Sequence, residues 1–207
     1  GKCGKMALAH NGNLTNTDEL RADLIADNAV FQTTIDSEAM AMLINKYSDG
    51  DIVRGVLKAC ECFKGSYALV VMTADKLIAV RDPYGIRPLC VGELMDDVVV
   101  ASESCALDAV GANFLRDVEP GEVLVVDSSG MHSYHMECKK KCKSAACIFE
   151  WVYFSRPDSI LDGGSVYQTR MLAGKILAEN YPVDADIVSG VPDSALVAAR
   201  GYSLASG

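Results

Sequence analysis

The first sixty residues show the spacing of one short strand followed by three amphipathic helices. The apolar residues 6–9 lead into the polar residues 10–13, which predict a turn. Asn16, with Glu19 three residues later, predicts a capping box at the start of the first helix. Asp36 and Asp51 open the second and third helical patterns, and we expect these two helices to pair.

From Ser66 the hydrophobic period changes from that of a helix to that of short strands. The predicted strands cover residues 67–72, 77–80, 89–91, 98–101, 122–126 and 131–136. Tight-turn residues separate them, which favours an antiparallel sheet. Because the helices come first and the strands cluster after them, the predicted fold class is α+β.

The pattern changes again beyond a polar, lysine-rich stretch at residues 137–146, which we interpret as a linker. Ser165 predicts the cap of a further helix. Residues 185–189 have the pattern of a buried strand, and residues 195–204 that of a last helix after a turn. This strand, turn and helix resemble the opening of a second domain of the α/β class.

Composition excludes several classes of protein. Of 207 residues, half are hydrophobic, and the formal net charge is −9, which argues against a nucleic-acid or anionic-membrane surface. The apolar runs are far shorter than the roughly 20 residues that a membrane helix needs, so we expect a soluble protein. Eight cysteines are too few for a disulfide scaffold, which favours a reducing cytoplasm.

Three features could carry chemistry. Asn11 and Gly12 place a side-chain amide beside an unobstructed backbone N–H, the donor pair of an oxyanion hole, although Asn-Gly is also a common turn dipeptide. Asp36 fits either an N-cap or a carboxylate that binds a ligand's ammonium group. The loop at residues 81–89 holds two prolines, a glycine, two arginines and an aspartate, and rigid loops of this kind often support a site.

Two further arrangements are weaker. The candidate ligands of a zinc site are His132, His135, Cys138, Cys142 and Cys147. Their spacing matches no common zinc site and lysines lie between them, so a solvated hairpin and linker is favoured. A catalytic pair of Cys3 and His10 is disfavoured, because residues at odd spacing on a strand point to opposite faces.

Five segments together resemble one family: residues 9–16, 33–38, 81–89, 101–104 and 147–159. They are similar to the glutamine phosphoribosylpyrophosphate amidotransferases, or amidophosphoribosyltransferases. The Asn-Gly dipeptide and the loop at 81–89 are shared with other class II glutamine amidotransferases, whereas residues 149–159 are specific to this family. The resemblance covers essentially the whole chain.

The resemblance implies a fold, a reaction and roles for particular residues. It implies an N-terminal nucleophile hydrolase sandwich of αββα type, in which a terminal cysteine attacks the glutamine side-chain amide. Asn11 and Gly12 would then bind the oxyanion, and Asp36 the α-ammonium group of glutamine. Ammonia would pass to a type I phosphoribosyltransferase domain, where it displaces pyrophosphate from phosphoribosylpyrophosphate (PRPP) with Mg²⁺ present. Ser194 matches a position beside that substrate and its magnesium.

The resemblance also sets expectations for the whole chain. It implies a glutaminase domain over residues 1–140, a linker over 141–164 and the start of the transferase domain over 165–207. It further implies the first step of purine synthesis and a homotetramer. Cys147 matches the first of four cysteines that hold a [4Fe–4S] cluster in one branch of the family, but a cysteine here also occurs in cluster-free members.

The departures from the family pattern lead us to expect an internal fragment that is inactive by itself. Residue 1 is glycine instead of the nucleophilic cysteine, the arginine that binds the glutamine carboxylate has no counterpart, and Cys3 lies too close to the Asn-Gly dipeptide to replace the nucleophile. Two alternatives remain open, a non-catalytic glutamine-binding module and an asparagine synthetase-type ligase. The ligase would need a Ser- and Gly-rich pyrophosphatase loop, which we do not find.

Overall fold

The computed structural model describes residues 4–207, with the side chains of residues 139 and 141 excepted. Its strands and helices follow in chain order: β1 (Ala7–Leu14), α1 (Thr17–Ala26), α2 (Asp36–Ser48), α3 (Ile52–Cys60), β2 (Gly65–Met72), β3 (Leu77–Arg81), β4 (Cys90–Leu94), β5 (Asp97–Ala101), α4 (Ser104–Val110), β6 (Asn113–Asp117), β7 (Glu122–Asp127), β8 (Gly130–His135), β9 (Ile160–Leu161), β10 (Gly164–Ser165), α5 (Val166–Asn180) and α6 (Ala195–Ser206). A short 3₁₀ helix spans Glu137–Lys141 and a π-helical turn spans Glu150–Phe154.

These elements divide into two compact units. The first contains the described residues up to Leu89 together with Val118–Ala146. The second contains Cys90–Asp117 and Cys147–Gly207. The domain boundaries expected from the sequence, at residues 140 and 164, stay a prediction.

The first unit packs three helices on a five-stranded sheet. The strands are antiparallel to their neighbours and run in the order β1-β2-β3-β7-β8. The core includes Met40 and Ile44 of α2, Val56 of α3, and Leu69 and Ile78 of the sheet, all fully buried. Burial of these apolar side chains is the main favourable contribution to folding of this unit.

The predicted pairing of the second and third helices is confirmed. At the crossing, a Cβ added to Gly55 would lie 2.6 Å from the carbonyl oxygen of Ile44, so only glycine allows this approach. The predicted start of α3 is also confirmed, because the Asp51 side chain accepts hydrogen bonds from the backbone N–H groups of Val53 and Arg54.

Two local predictions near the N-terminus are wrong. Asn16 precedes α1 but makes no side-chain capping bond. Its amide instead donates to the carbonyl of Cys62 and accepts from the N–H of Lys64, which fastens the start of α1 to the entry of β2. The turn predicted at residues 10–13 is absent, because β1 continues through Leu14 and pairs with β2 over its whole length.

The second unit contains a three-stranded sheet in the order β5-β4-β6 and the helices α4, α5 and α6. The cap predicted at Ser165 is confirmed by a hydrogen bond from the Gln168 N–H to its hydroxyl. Helices α5 and α6 cross closely, since a Cβ on Gly174 would lie 1.9 Å from the Ala198 carbonyl oxygen. The predicted last helix is confirmed as α6.

The strand predicted at residues 185–189 is not present, and the segment is irregular and largely exposed. No strand of the described residues pairs with it, so its backbone groups lack the partners that would make it part of a sheet. Several short elements escaped prediction, among them the helix α4, the mostly exposed strand β6 and the two-residue strands β9 and β10. None of the helices in the described part of the chain is both long and apolar enough to cross a membrane.

Candidate functional site

Strand β1 carries the candidate oxyanion residues at the edge of the five-stranded sheet. Asn11 lies opposite Ala68 and Gly12 opposite Tyr67. The carbonyl of Tyr67 accepts the Asp82 N–H on the β3 side, so the following N–H, that of Ala68, is directed toward Asn11. The Asn11 carbonyl therefore faces β2, and in a trans peptide the next N–H points the opposite way. The Gly12 N–H is thus directed to the outer edge of β1.

Only glycine fits at position 12. Its φ of +146° lies in a region that L-residues rarely adopt. A Cβ at this position would lie 2.2 Å from the Ser66 carbonyl oxygen and 2.9 Å from the Tyr67 Cα. Close approach of β2 and an unusual backbone angle together explain why this strand contains a glycine beside Asn11.

The side chain of Asn11 is oriented by an arginine 76 positions away in the sequence. Arg87 Nη2 donates to Asn11 Oδ1 at 2.5 Å. A guanidinium group has only donors, so this contact identifies the oxygen end of the amide. Asn11 therefore offers its N–H donors, and not its carbonyl oxygen, to a ligand.

Arg87 belongs to the loop at residues 81–89, whose backbone is fixed by hydrogen bonds to two buried side chains, those of Asp82 and Arg81. Asp82 is fully buried and accepts hydrogen bonds from the N–H groups of Tyr84, Ile86 and Arg87. Burial raises the pKa of Asp82, against the lowering effect of these amides. The buried Arg81 guanidinium donates to the carbonyls of three residues, Gly85, Arg87 and Val118. The sequence indicated a rigid loop supporting a site but did not reveal that Arg87 contacts Asn11.

Asp36 is the first residue of α2, and its carboxylate is tied to β1. Oδ2 accepts the Leu14 N–H at 3.1 Å, and Oδ1 lies 3.3 Å from His10 Nδ1 and 3.4 Å from the Ser37 hydroxyl. The His10 side chain is only 3% exposed, and that of Asp36 is 20% exposed. The structure therefore joins Asp36 to the strand of Asn11 and Gly12, with room on the carboxylate for a further donor.

Ser194, in the second unit, lies beside a groove of about 580 Å³. The groove is lined by Tyr153, Phe154, Ser155, Arg156, Pro157, Arg170, Pro192, Asp193 and Ser194. Ser194 precedes α6 without capping it. The buried Arg170 donates to the carbonyls of Trp151 and Ser155, which fixes the π-helical turn along one wall.

Cys147 is half-buried, and its carbonyl accepts the Glu150 N–H at the start of the π-helical turn. A [4Fe–4S] cluster needs four thiolates. Among the described residues, no group of three or more His, Cys, Asp or Glu side chains is placed to hold a metal ion. The residues described do not by themselves fit a cluster, and Cys147 as its ligand stays a prediction.

The two histidines of the weaker zinc hypothesis have local partners. His132 Nε2 lies 2.8 Å from the Ser129 hydroxyl, and His135 Nε2 lies 3.3 Å from Glu119. Both histidines belong to β8, which forms the predicted hairpin with β7. Cys3 lies outside the described residues.

With this geometry in place, comparison with known proteins identifies the class. A family model of glutamine amidotransferase domains matches residues 1–109, just over half of the chain. The chain belongs to this glutamine amidotransferase family.

Within that class, the relatives are amidophosphoribosyltransferases. The chain is 45% identical over 208 residues to the amidophosphoribosyltransferase of Archaeoglobus fulgidus, covering 100% of this chain and 45% of that protein. The solved glutamine PRPP amidotransferase from Bacillus subtilis, complexed with ADP and GMP, superposes with a TM-score of 0.91 at 43% identity and covers 97% of this chain and 44% of that one. A structure described as the allosteric regulatory enzyme of purine biosynthesis superposes with a TM-score of 0.92, also at 43% identity, over 97% of this chain and 43% of that one.

These comparisons confirm the resemblance read from the motifs and the predicted fold class, an α+β fold of the N-terminal nucleophile hydrolase type. The chain spans somewhat less than half the length of the relatives it matches.

Proposed function

We propose that this chain forms the glutamine-hydrolysing part of an amidophosphoribosyltransferase, together with the beginning of its transferase part. The reaction converts glutamine, PRPP and water into 5-phosphoribosylamine, glutamate and pyrophosphate, the first step of purine synthesis. The observation that carries the proposal is the contact between Arg87 and Asn11, because it presents amide donors beside the edge-directed N–H of Gly12.

The two donors act on the oxyanion of the tetrahedral intermediate. When a thiolate attacks the glutamine side-chain carbonyl, its oxygen gains negative charge, and fixed N–H donors stabilise that charge. The Asn11 amide needs no reorientation, since Arg87 already holds its oxygen. The attacking thiol is, by resemblance, that of an N-terminal cysteine. Cys60 and Cys90 are unsuited to this role because burial raises the pKa of both thiols.

Asp36 binds the α-ammonium group of glutamine in this proposal. Its carboxylate is partly exposed, and it is already oriented by the Leu14 N–H and by His10. A carboxylate held in this way binds an ammonium group without first losing side-chain freedom. Asp36 therefore determines the orientation of the substrate relative to the oxyanion donors on the same strand.

The groove beside Ser194 binds PRPP in this proposal. Asp193 and Ser194 supply oxygen atoms of the kind that Mg²⁺ prefers, and Mg²⁺ usually takes its remaining ligands from water and substrate phosphates. When bound, Mg²⁺ would neutralise the charge of the pyrophosphate leaving group. The cytoplasmic location, the homotetramer and the [4Fe–4S] cluster at Cys147 remain proposals from the family resemblance.

The test is a product assay on the complete gene product that carries this sequence. Incubated with glutamine, PRPP and Mg²⁺, it is expected to release glutamate and pyrophosphate in equal amounts. Ammonium salts should replace glutamine for pyrophosphate release. Glutamine binding without glutamate release would instead favour the non-catalytic module, and ATP-dependent formation of a new amide would favour the synthetase-type ligase.

A further inference from the structure

Glu103 occupies the position before α4 where a side chain normally caps the helix, but it does not do so. It makes no capping bond to its own helix. Its Oε2 instead accepts the backbone N–H of Arg156 at 2.8 Å and the hydroxyl of Ser159 at 2.7 Å. The Cys105 thiol is a more distant neighbour of the same oxygen, at 4.0 Å. The carboxylate thus binds a segment more than fifty positions along the chain.

The next residue reinforces the same connection. The Ser104 hydroxyl accepts the backbone N–H of Ile160 at 2.8 Å. Ser104 is almost fully buried and Ser159 is fully buried. The bonds from Ser159 to Glu103 and from Ile160 to Ser104 are partly buried, whereas the bond from the Arg156 N–H to Glu103 is exposed. Hydrogen bonds to a charged acceptor are about twice as strong as those between neutral groups. Residues 103 and 104 therefore fix the backbone of residues 156–160.

The segment that Glu103 holds forms part of the groove beside Ser194. Arg156 and Pro157 line that groove together with Asp193 and Ser194. Arg156 is also constrained from its side chain, because its guanidinium forms two hydrogen bonds with Asp158, at 3.0 and 2.8 Å. The groove wall is therefore held from both its backbone and its side chain, and Glu103 supplies the backbone contact.

Glu103 belongs to the part of the chain that the glutamine amidotransferase model matches, whereas residues 156–160 lie beyond it. We propose that Glu103 is a positioning residue for PRPP: it holds the Arg156–Ser159 wall so that the groove beside Ser194 is preformed. The inference rests on the proposed function of that groove. On this inference Glu103, a residue of the matched segment 1–109, controls the affinity of the groove beside Ser194 for PRPP without touching the substrate.

The experiment compares Glu103→Ala, Glu103→Gln and Glu93→Ala in the complete gene product. Ammonium chloride serves as the nitrogen donor, so that glutamine hydrolysis is bypassed, and pyrophosphate release is measured against PRPP concentration. Glu93 is a matched control, because it is exposed on the neighbouring strand β4. Glu103→Ala should raise the KM for PRPP about tenfold, because the groove wall loses the charge-assisted hydrogen bonds that hold it preformed. Glu103→Gln keeps an acceptor oxygen and should raise it less, about threefold.

A purely structural role predicts a different result. It would lower the kcat or the melting temperature while leaving the KM for PRPP within twofold of the wild-type value, and that result would overturn the proposal. An equal rise of KM in Glu93→Ala would overturn it as well. Glutamate release from glutamine without PRPP should stay within twofold in every variant.

A second measurement separates this inference from the proposed function. If the wild-type protein releases no pyrophosphate, the proposed function fails, but amide hydrogen exchange still tests the contact. The backbone N–H groups of Arg156 and Ile160 should exchange about tenfold faster in Glu103→Ala than in Glu93→Ala. Equal exchange in the two variants would show that Glu103 does not hold this wall.

Discussion

Replacing Gly12 by alanine tests the close approach of β1 and β2 that directs the Gly12 N–H outward. The new Cβ would lie 2.2 Å from the Ser66 carbonyl oxygen, where ordinary contacts begin at 3.4 Å, so the strands would have to separate by roughly 1 Å. Overpacking of this kind costs about 1–3 kcal/mol. The φ of +146° adds about 1–3 kcal/mol of backbone strain, which gives a total of about 2–6 kcal/mol.

The assay is urea denaturation of the 207-residue chain followed by circular dichroism, with the free energy of unfolding taken by linear extrapolation. Gly130→Ala is the matched control, because Gly130 has a φ of +115° but open space around its Cβ position. The control should lose only the strain contribution of about 1–3 kcal/mol. A loss in Gly12→Ala equal to that of the control within about 0.5 kcal/mol would refute the predicted clash.

Three further predictions follow from the site and its surroundings. Asp36→Asn should raise the KM for glutamine about tenfold or more and leave ammonia-dependent turnover unchanged. The new amide still accepts the Leu14 N–H but lacks the charge that binds the ammonium group. Equal loss of both activities would contradict the role given to Asp36. The Ser129 hydroxyl and N–H lower the pKa of Asp127 from 3.8 to about 2. The contribution of the Asp127 carboxylate to stability is therefore present above pH 3.8 and disappears as the pH falls through 2. Ser129→Ala should move the pKa of Asp127 upward in an NMR titration, and an unchanged pKa would contradict the assignment. Burial raises the pKa of Cys90 to about 12, so iodoacetamide at pH 8 should label the half-buried Cys147 well before Cys90, a difference that urea should abolish.

Features encoded by neighbouring residues were predictable from the sequence. The caps at Asp51 and Ser165 depend on side chains that bond two or three positions ahead, and both helices begin where these residues predict. The capping box at Asn16 failed because its amide bonds to residues 46 and 48 positions away. A local pattern contains no information about such distant partners.

The candidate site shows the same limit. Asn11 and Gly12 were identified from the dipeptide and from the family resemblance, but the sequence indicated a turn where β1 continues. The orientation of the Asn11 amide depends on Arg87, and the wall of the second groove depends on Glu103, each through a contact across more than fifty positions. The rigid loop at residues 81–89 was the available signal for the first of these contacts.

The role of the Asn11 amide is tested most directly by the Asn11→Ala variant of the complete gene product, through its ratio of glutamine-dependent to ammonia-dependent turnover. Loss of one oxyanion donor costs about 10²–10³ in kcat. We therefore expect glutamine-dependent turnover to fall at least about a hundredfold, with ammonia-dependent turnover within twofold of wild type. Asn13→Ala, an exposed asparagine two residues later on β1, should change neither rate. Equal losses of both activities in Asn11→Ala, or none, would contradict the assignment of the Asn11 amide to the oxyanion.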